Sequence, residues 1–435
     1  MKSTLFQQIK TWLAYALKMA SVILSWFIVY LTLIYITNGM LQGAVAALGG
    51  ILIAGLTLIL FIGRSWVKPG VQRYVIIIIF GAFMVFVIHT STPLASNDNP
   101  KPAPDFSDVP TCFWNLKTGS HIAYYKIAAK PGIAKKTTPI IFLHGGPGAY
   151  VRKLDLDFFK TFAIDGYDVY LYDQVGSGRS GLLPKSGYSH LRNILDFEAI
   201  VNVINAKQYI VIGQSYGGSL LADIASDSRM AGRIYKAVYA EPGVTVSSAG
   251  TATFTRSPNA LNEDVNLPLR AIIGILINPG GDFTSQNEIL NYMSNRQDLV
   301  QKLFIQSFPK DDRNSIPKVE PGLINFSVIG IIPPQVAVYN KDLKTKFQHN
   351  KVRSMLMLGE SSYIERNAPL DLLRINPGIE RVQYFKNAGH ILWNGLHNNN
   401  VRVKNSIDEF LNDAPPALPN YPTLKDIPEF IRSRK

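Results

Sequence analysis

Cysteine is nearly absent, since Cys112 is the only one in 435 residues. One thiol makes no internal disulfide, and no zinc-type ligand cluster assembles around it, so neither a metal nor an organic cofactor is expected. Acid is missing over a long stretch. Residues 1–97 hold no Asp or Glu and only six basic residues: Lys2, Lys10, Lys18, Arg64, Lys68 and Arg73. These six flank apolar segments, which thins the formal charge of +13 over the rest of the chain. No basic run and no nucleic-acid motif remains, so no nucleic-acid partner is expected. Internal repeats are absent as well.

What the first hundred residues do have is three apolar stretches, at 19–36, 41–63 and 74–95. About twenty helical residues at ~1.5 Å each cover a ~30 Å hydrocarbon core. Backbone in lipid must satisfy its own hydrogen bonds, so the expectation is three transmembrane helices in contact with membrane lipid. A cleaved signal peptide fits poorly, because two more spans follow the first. Lys2, Lys10 and Lys18 precede the first span, and Arg64, Lys68 and Arg73 lie between the second and third. Both basic groups then fall on one side, which predicts a cytoplasmic N-terminus and an extracytoplasmic C-terminal domain. A re-entrant third segment would reverse the domain's side, since its apolar core stops at His89 and Thr90. No span carries an acid or base at its centre, which favours an anchor over a transport path.

Residues 96–108, SNDNPKPAPDFSD, read as a polar, proline-rich linker. Beyond it, short β-branched runs alternate with helix-sized segments. Strands are predicted at 121–127, 139–143, 168–172, 209–212, 236–240, 354–358 and 381–385. Such alternation predicts a mostly parallel sheet covered on both faces. It is interrupted at 243–350, a stretch too long for a loop, with helical pattern around 267–277 and 287–308. The expected organisation is a core of 109–242 and 351–435 with a helical lid at 243–350.

Residues 209–218, YIVIGQSYGG, place G-x-S-x-G directly after a strand and before a helical stretch at 219–225. A chance G-x-S-x-G is common, but this context is the one that lifts a serine hydroxyl above a sheet edge. Ser215 is the candidate nucleophile. Gly213 and Gly217 leave room for the close backbone approach the bend requires, and the Tyr216 amide points at the same spot. HGGPG (His144, Gly145, Gly146, Pro147, Gly148) follows the strand PIIFL. Its glycines expose amides that can complete an oxyanion hole, and Gly146 is the candidate donor alongside Tyr216. His144 is expected to shape the turn.

A third stretch, DQVGSGRS at 173–180, follows the strand YDVYLY. With HGGPG and GQSYGG it completes a set that resembles the prolyl iminopeptidases and their α/β-hydrolase relatives. The resemblance covers 115–241 well and 353–412 moderately, and leaves out the lid and the membrane region. The family's form of the third motif is DQRGSGRS, so Val175 departs at one position. The resemblance implies an eight-stranded, mostly parallel sheet with helices on both faces. It also implies that His390, in NAGH after the strand RVQYF, is the base. His397 lies seven residues later, and His121 sits on a strand.

The acid is less regular. Where the family usually has Asp after the strand that follows the lid, this chain reads MLMLGESSYIE, with Ser362 at the matching position. Two carboxylates are candidates instead. Glu241 ends the strand before the lid, where haloalkane dehalogenases and some lipases are similar in keeping their acid, and it is preferred. Glu360 is the alternative. Ser215 in place of an aspartate nucleophile disfavours dehalogenase and epoxide-hydrolase chemistry. The resemblance thus implies a serine hydrolase, first an aminopeptidase releasing N-terminal residues from peptides, and the apolar stretches imply that it is membrane-anchored. A membrane-associated esterase or lipase acting on a small acyl substrate is the alternative, and a non-catalytic hydrolase-fold partner is a third reading. Lid carboxylates available to clamp an N-terminal amine are Glu263, Asp264, Asp282 and Glu288.

Overall fold

The computed structural model describes residues 94–96, 98–243 and 285–432, with single positions at 7, 10, 13, 24, 78 and 270. Apart from positions 24, 78, 94, 95 and 270, the three expected membrane segments and the expected helix at 267–277 lie outside the described residues, as do Glu263, Asp264 and Asp282. Among the described residues no helix is long and apolar enough to cross a membrane. The chain divides into two units, 1–98 with 267–289 and 99–266 with 290–435. In the first, the buried Glu288 carboxylate accepts from Arg270 at 2.7 and 3.0 Å and from the Leu94 amide at 2.8 Å. Glu288 is thereby committed to a guanidinium.

The second unit carries one sheet. Its strands are β1 (Cys112–Asn115), β2 (His121–Ile127), β3 (Ile140–Leu143), β4 (Val169–Tyr172), β5 (Tyr209–Gln214), β6 (Ile234–Ala240), β7 (Ser354–Gly359) and β8 (Ile379–Phe385). They lie in the order β1-β2-β4-β3-β5-β6-β7-β8, and only β2 runs against its neighbours. Helices are α1 (Lys153–Ile164), α2 (His190–Ile204), α3 (Tyr216–Ser226), α4 (Gln286–Ser294), α5 (Gln297–Ile305), α6 (Phe326–Asn340), α7 (Leu343–His349), α8 (Asn367–Ile375) and α9 (Asn399–Leu411).

Every residue of β3, β5 and β7 is buried, which is why these strands read as unbroken apolar runs rather than alternating ones. Successive side chains still point to opposite faces. Ile141, Leu143, Tyr209 and Val211 join one apolar cluster with α2, α3 and α8. Ile140, Phe142, Ile210 and Ile212 join the other with α1 and α9. Trp393 anchors this second core, stacked on Phe158 at 5.0 Å with its Nε1 donating to buried Asp155 at 2.9 Å. Lys236 is also fully buried, and its Nζ donates to the Phe410 and Leu411 carbonyls, which satisfies acceptors the end of α9 leaves open.

The stretch expected as helical at 287–308 is two helices rather than one. Ser294 and Asn295, which compete for backbone hydrogen bonds, end α4, and Arg296 (φ −118°, ψ 57°) breaks the path. Asp298 in the first turn of α5 then takes the Arg296 guanidinium at 2.8 Å.

This order places the site. The parallel strands end on one edge, and β3 and β6 flank β5. The turns after β3, β5 and β6 therefore meet, as the carboxyl ends of strands do in open α/β sheets.

Candidate active site

Ser215 forms the bend between β5 and α3. Its backbone sits at φ 55°, ψ −118°, a conformation that a residue with a Cβ adopts only under constraint. The constraint is visible on both sides. Its amide donates to the Ala240 carbonyl of β6 at 3.0 Å, and its carbonyl accepts from the Gly218 and Ser219 amides at 2.9 and 3.2 Å. Only glycine tolerates the resulting crowding. A Cβ on Gly213 would lie 2.9 Å from the Gly218 nitrogen, and one on Gly217 would press on the Leu143 and His144 carbonyls. Tyr216 is the first residue of α3, so its amide has no carbonyl one turn back to bond.

The HGGPG loop leans on the serine. A Cβ on Gly145 would lie 2.8 Å from the Ser215 Cβ, and Gly146 sits at φ 126° beside a cis Gly146–Pro147 bond. Gly148 is also at positive φ, 80°. His144 braces the turn. Its Nδ1 lies 2.7 Å from the Gly145 carbonyl, and its Nε2 accepts from the Gln174 amide at 2.9 Å. The Gln174 side chain returns a bond to the His144 carbonyl at 2.9 Å. DQVGSGRS is thus a scaffold for HGGPG. Its Asp173 accepts from the Val151 amide at 2.7 Å, the Arg179 amide at 2.9 Å and the Tyr125 hydroxyl at 2.8 Å. Val175, the position that departs from the family's motif, is a buried member of the core.

Burial lowers the His144 imidazole from 6.5 to about 4, only partly opposed by the Gly145 carbonyl. The unfolded chain therefore takes up this proton first as pH falls. The ring's contribution is fully present above about pH 6.5 and is lost between there and about pH 4, roughly 3 kcal/mol in all. Asp173 works in the opposite sense. Burial raises it to about 6 against the pull of the Val151 and Arg179 amides, so its contribution is lost as pH rises through 6. The two nearly offset each other in a global unfolding curve. A ring NMR titration separates them: the His144 midpoint is expected near 4, and a midpoint near 6.5 would contradict its burial as a neutral acceptor.

His390 approaches from the far end of the chain. Its amide donates to the Ser307 carbonyl at 2.7 Å, and its carbonyl accepts from the Gln214 side chain at 3.2 Å, one residue before the serine. Its ring lies 4.1 Å from that of Tyr363. Ser215 and His390 both line a cavity of about 370 Å³ together with Gly146. Its walls are mostly apolar, with Leu303, Phe304, Ile324, Phe326 and Ile329 among them, and Gln214 and Gln306 also line it. Among the described residues no Asp or Glu lines it, and Arg152, which does, is bonded to Asp155 at 2.7 and 2.8 Å.

Residues 138–262, which hold β3, HGGPG, β5, the serine bend and β6, match the family model described as the alpha/beta hydrolase fold. The fold is that of the α/β-hydrolases. A proline iminopeptidase from Lactobacillus crispatus is 30% identical over 102 residues, 22% of this chain and 32% of that protein. A non-heme chloroperoxidase from Burkholderia pyrrocinia is 34% identical over 106 residues, 24% of this chain and 37% of that protein. The chain therefore matches about a third of the length of these relatives. Among solved structures, an esterase from Exiguobacterium antarcticum is 16% identical with a TM-score of 0.45, covering 69% of this chain and 98% of that one.

Within this α/β-hydrolase fold, the carboxylates expected beside the imidazole are elsewhere. Glu241, at φ 46° after β6, accepts from the Gly359 amide and pairs with Arg366 at 3.4 Å. Glu360 accepts from the Asn387 amide at 2.7 Å. The group against His390 Nδ1 is Ser362 Oγ, at 3.0 Å. The reason is local: Arg366, four residues beyond Ser362 and nearly fully buried, needs a carboxylate, and Glu241 is the one it has. His397, itself exposed, pairs with Asp312 at 3.0 Å, and His121 stacks on Phe113 at 4.6 Å.

A third buried imidazole, His190, was not singled out from the sequence. His190 Nδ1 lies 2.9 Å from the Tyr216 hydroxyl and its Nε2 lies 2.8 Å from Asp223, while Asn193 donates to the same hydroxyl at 2.9 Å. One neutral tautomer satisfies this chain, with Tyr216 donating to Nδ1 and Nε2–H donating to Asp223. Burial holds the Tyr216 phenol well above its usual range, so it stays a donor. The network fixes the residue whose amide faces the nucleophile. Ser189 caps α2, its hydroxyl accepting from the Arg192 amide.

Proposed function

We propose that this chain is a serine hydrolase that cleaves esters of small apolar acids through an acyl-enzyme, held at a membrane by its N-terminal segment. One observation supports it above the others: Ser215 is forced to φ 55° at the end of β5 and opens into the same cavity as His390. His390 takes the Ser215 proton as Oγ attacks the substrate carbonyl, and the Tyr216 and Gly146 amides receive the oxyanion. The imidazolium then protonates the leaving group. Water, deprotonated by the same ring, releases the acid.

The apolar walls support an acyl rather than an amine site. A free N-terminal amine needs an acceptor of opposite charge in the pocket, and among the described residues no carboxylate lines it. A volume of about 370 Å³ sits at the small end of the ~300–1,000 Å³ typical of ligand sites. The aminopeptidase reading draws its support from the matched proline iminopeptidases and needs a clamp from Glu263, Asp264 or Asp282. A panel of p-nitrophenyl esters and proline arylamides separates the two on the full chain in detergent. Short and medium esters are expected to exceed proline arylamides at least ~10-fold in kcat/KM; the reverse order would establish the aminopeptidase. The membrane anchor rests on the three apolar stretches and on the placement of the six basic residues around them. Protease digestion of sealed cells or vesicles of known orientation tests the side on which the hydrolase domain lies.

A further inference from the structure

We infer that Ser362 is the positioning residue for His390, standing where a carboxylate would complete a triad, and that the Glu241–Arg366 pair serves to hold its loop. The inference rests on the serine-hydrolase reading but is tested apart from it. Ser362 is buried and its Oγ lies 3.0 Å from His390 Nδ1. The same oxygen accepts from the Ile364 amide at 3.3 Å. A hydroxyl oxygen has two lone pairs, so it can accept from Ile364 and from Nδ1–H together. That assignment puts the ring proton on Nδ1 and leaves Nε2 bare to take a proton from Ser215, the tautomer a base requires.

The loop that carries Ser362 is pinned at both ends. Arg366 donates to the Gly359 carbonyl at 2.8 Å, and the Gly359 amide donates to Glu241. Glu241 and Arg366 are each nearly fully buried and face each other at 3.4 Å. Glu241 is therefore paired with a guanidinium and reaches the Ser362 loop through Arg366 and the Gly359 amide. Among the described residues, Tyr363 lies against the His390 ring face and the Ser307 carbonyl accepts from the His390 amide, while Glu360 is bonded to the Asn387 amide. A hydroxyl orients the ring but supplies no countercharge. An aspartate in its place would stabilise the imidazolium further.

Ser362→Ala, Ser362→Thr and Ser362→Asp in the full chain test this. The first readout is the ring nitrogen NMR shift of His390, which is independent of activity. The wild type is expected as the Nδ1–H tautomer, the Thr variant likewise, and the Ala variant as a mixture. The second is the rate of modification by a fluorophosphonate across pH. Ala is expected to slow it about 10- to 100-fold, less than the ~10⁴-fold cost of losing a carboxylate orienter. Thr is expected to restore it to within about threefold. Asp is expected to move the acid limb of the profile upward by about one pH unit or more. An Ala variant with the wild-type tautomer and the wild-type rate would overturn the assignment. Should Asp fail to fold, the Ala and Thr variants still decide. A wild type that keeps the Nδ1–H tautomer but never reacts would instead sink the hydrolase reading and leave the positioning role of Ser362 standing.

Discussion

Ser215→Ala is expected to lower ester hydrolysis by about 10⁶-fold while leaving the protein folded. In serine hydrolases the nucleophile and its base act as a unit, so losing either removes most of the acceleration and leaves what the oxyanion hole and binding provide. The folding side of the expectation comes from the site itself. The Ser215 bonds that hold the bend are made by its backbone, to Ala240, Gly218 and Ser219. Alanine keeps all of them. His390→Ala should cost nearly as much as Ser215→Ala, and the double variant little more. Equal residual rates in the three variants, with unchanged unfolding curves, are the result to look for; additive losses would mean the two side chains do not work on the same proton.

Gly217→Ala is expected to have the largest effect on stability. The Cβ it adds would press on the Leu143 carbonyl and lie 2.8 Å from that of His144. Both are backbone atoms on β3 and its following turn, so no rotamer change relieves the clash. Overpacking typically costs ~1–3 kcal/mol where side chains can adjust. Here the strand itself must shift, and a loss of about 3 kcal/mol or more is expected. Activity falls with it, because the displaced turn carries Gly146. Gly232→Ala is the control: at φ −66° a Cβ there meets nothing within 4 Å. Alanine at such a position is expected to be neutral or to stabilise by ~0.4–1 kcal/mol. Urea unfolding in detergent compares them, and equal midpoints would contradict the close approach that defines the bend.

The parts of the fold legible in the sequence are those fixed by local chemistry. Fully buried parallel strands announce themselves as apolar runs, and β2 begins and ends where its pattern predicts, at His121 and Ile127. The G-x-S-x-G bend was equally readable, because its glycines are required by contacts within the motif and with the adjacent turn. Edges and breaks were not. β1 is a four-residue edge strand with exposed positions at Phe113 and Asn115, too short and too mixed to show a period. α6 contains Pro333 and Pro334, which read as breakers in sequence although Asn325 caps the helix and its apolar residues pack on the core.

At the site, the limit was distance along the chain. Glu241 looked like the acid because its strand adjoins that of the nucleophile, and it does end beside the bend. What the sequence does not disclose is that Arg366, 125 residues later, claims it. The absence of an aspartate at Ser362 was visible, but its meaning needed the 3.0 Å contact with the ring. The His190–Asp223 pair spans 33 residues and two helices, and no local motif foreshadows it.

Acyl-enzyme chemistry at this site requires Ser215 Oγ to be the atom that becomes covalently modified. Treating the full chain with a fluorophosphonate and mapping the adduct by tandem mass spectrometry tests that directly. The adduct is expected on Ser215 alone and is expected to be lost in His390→Ala. A stable wild type carrying no adduct, or one modified at another residue, would contradict it.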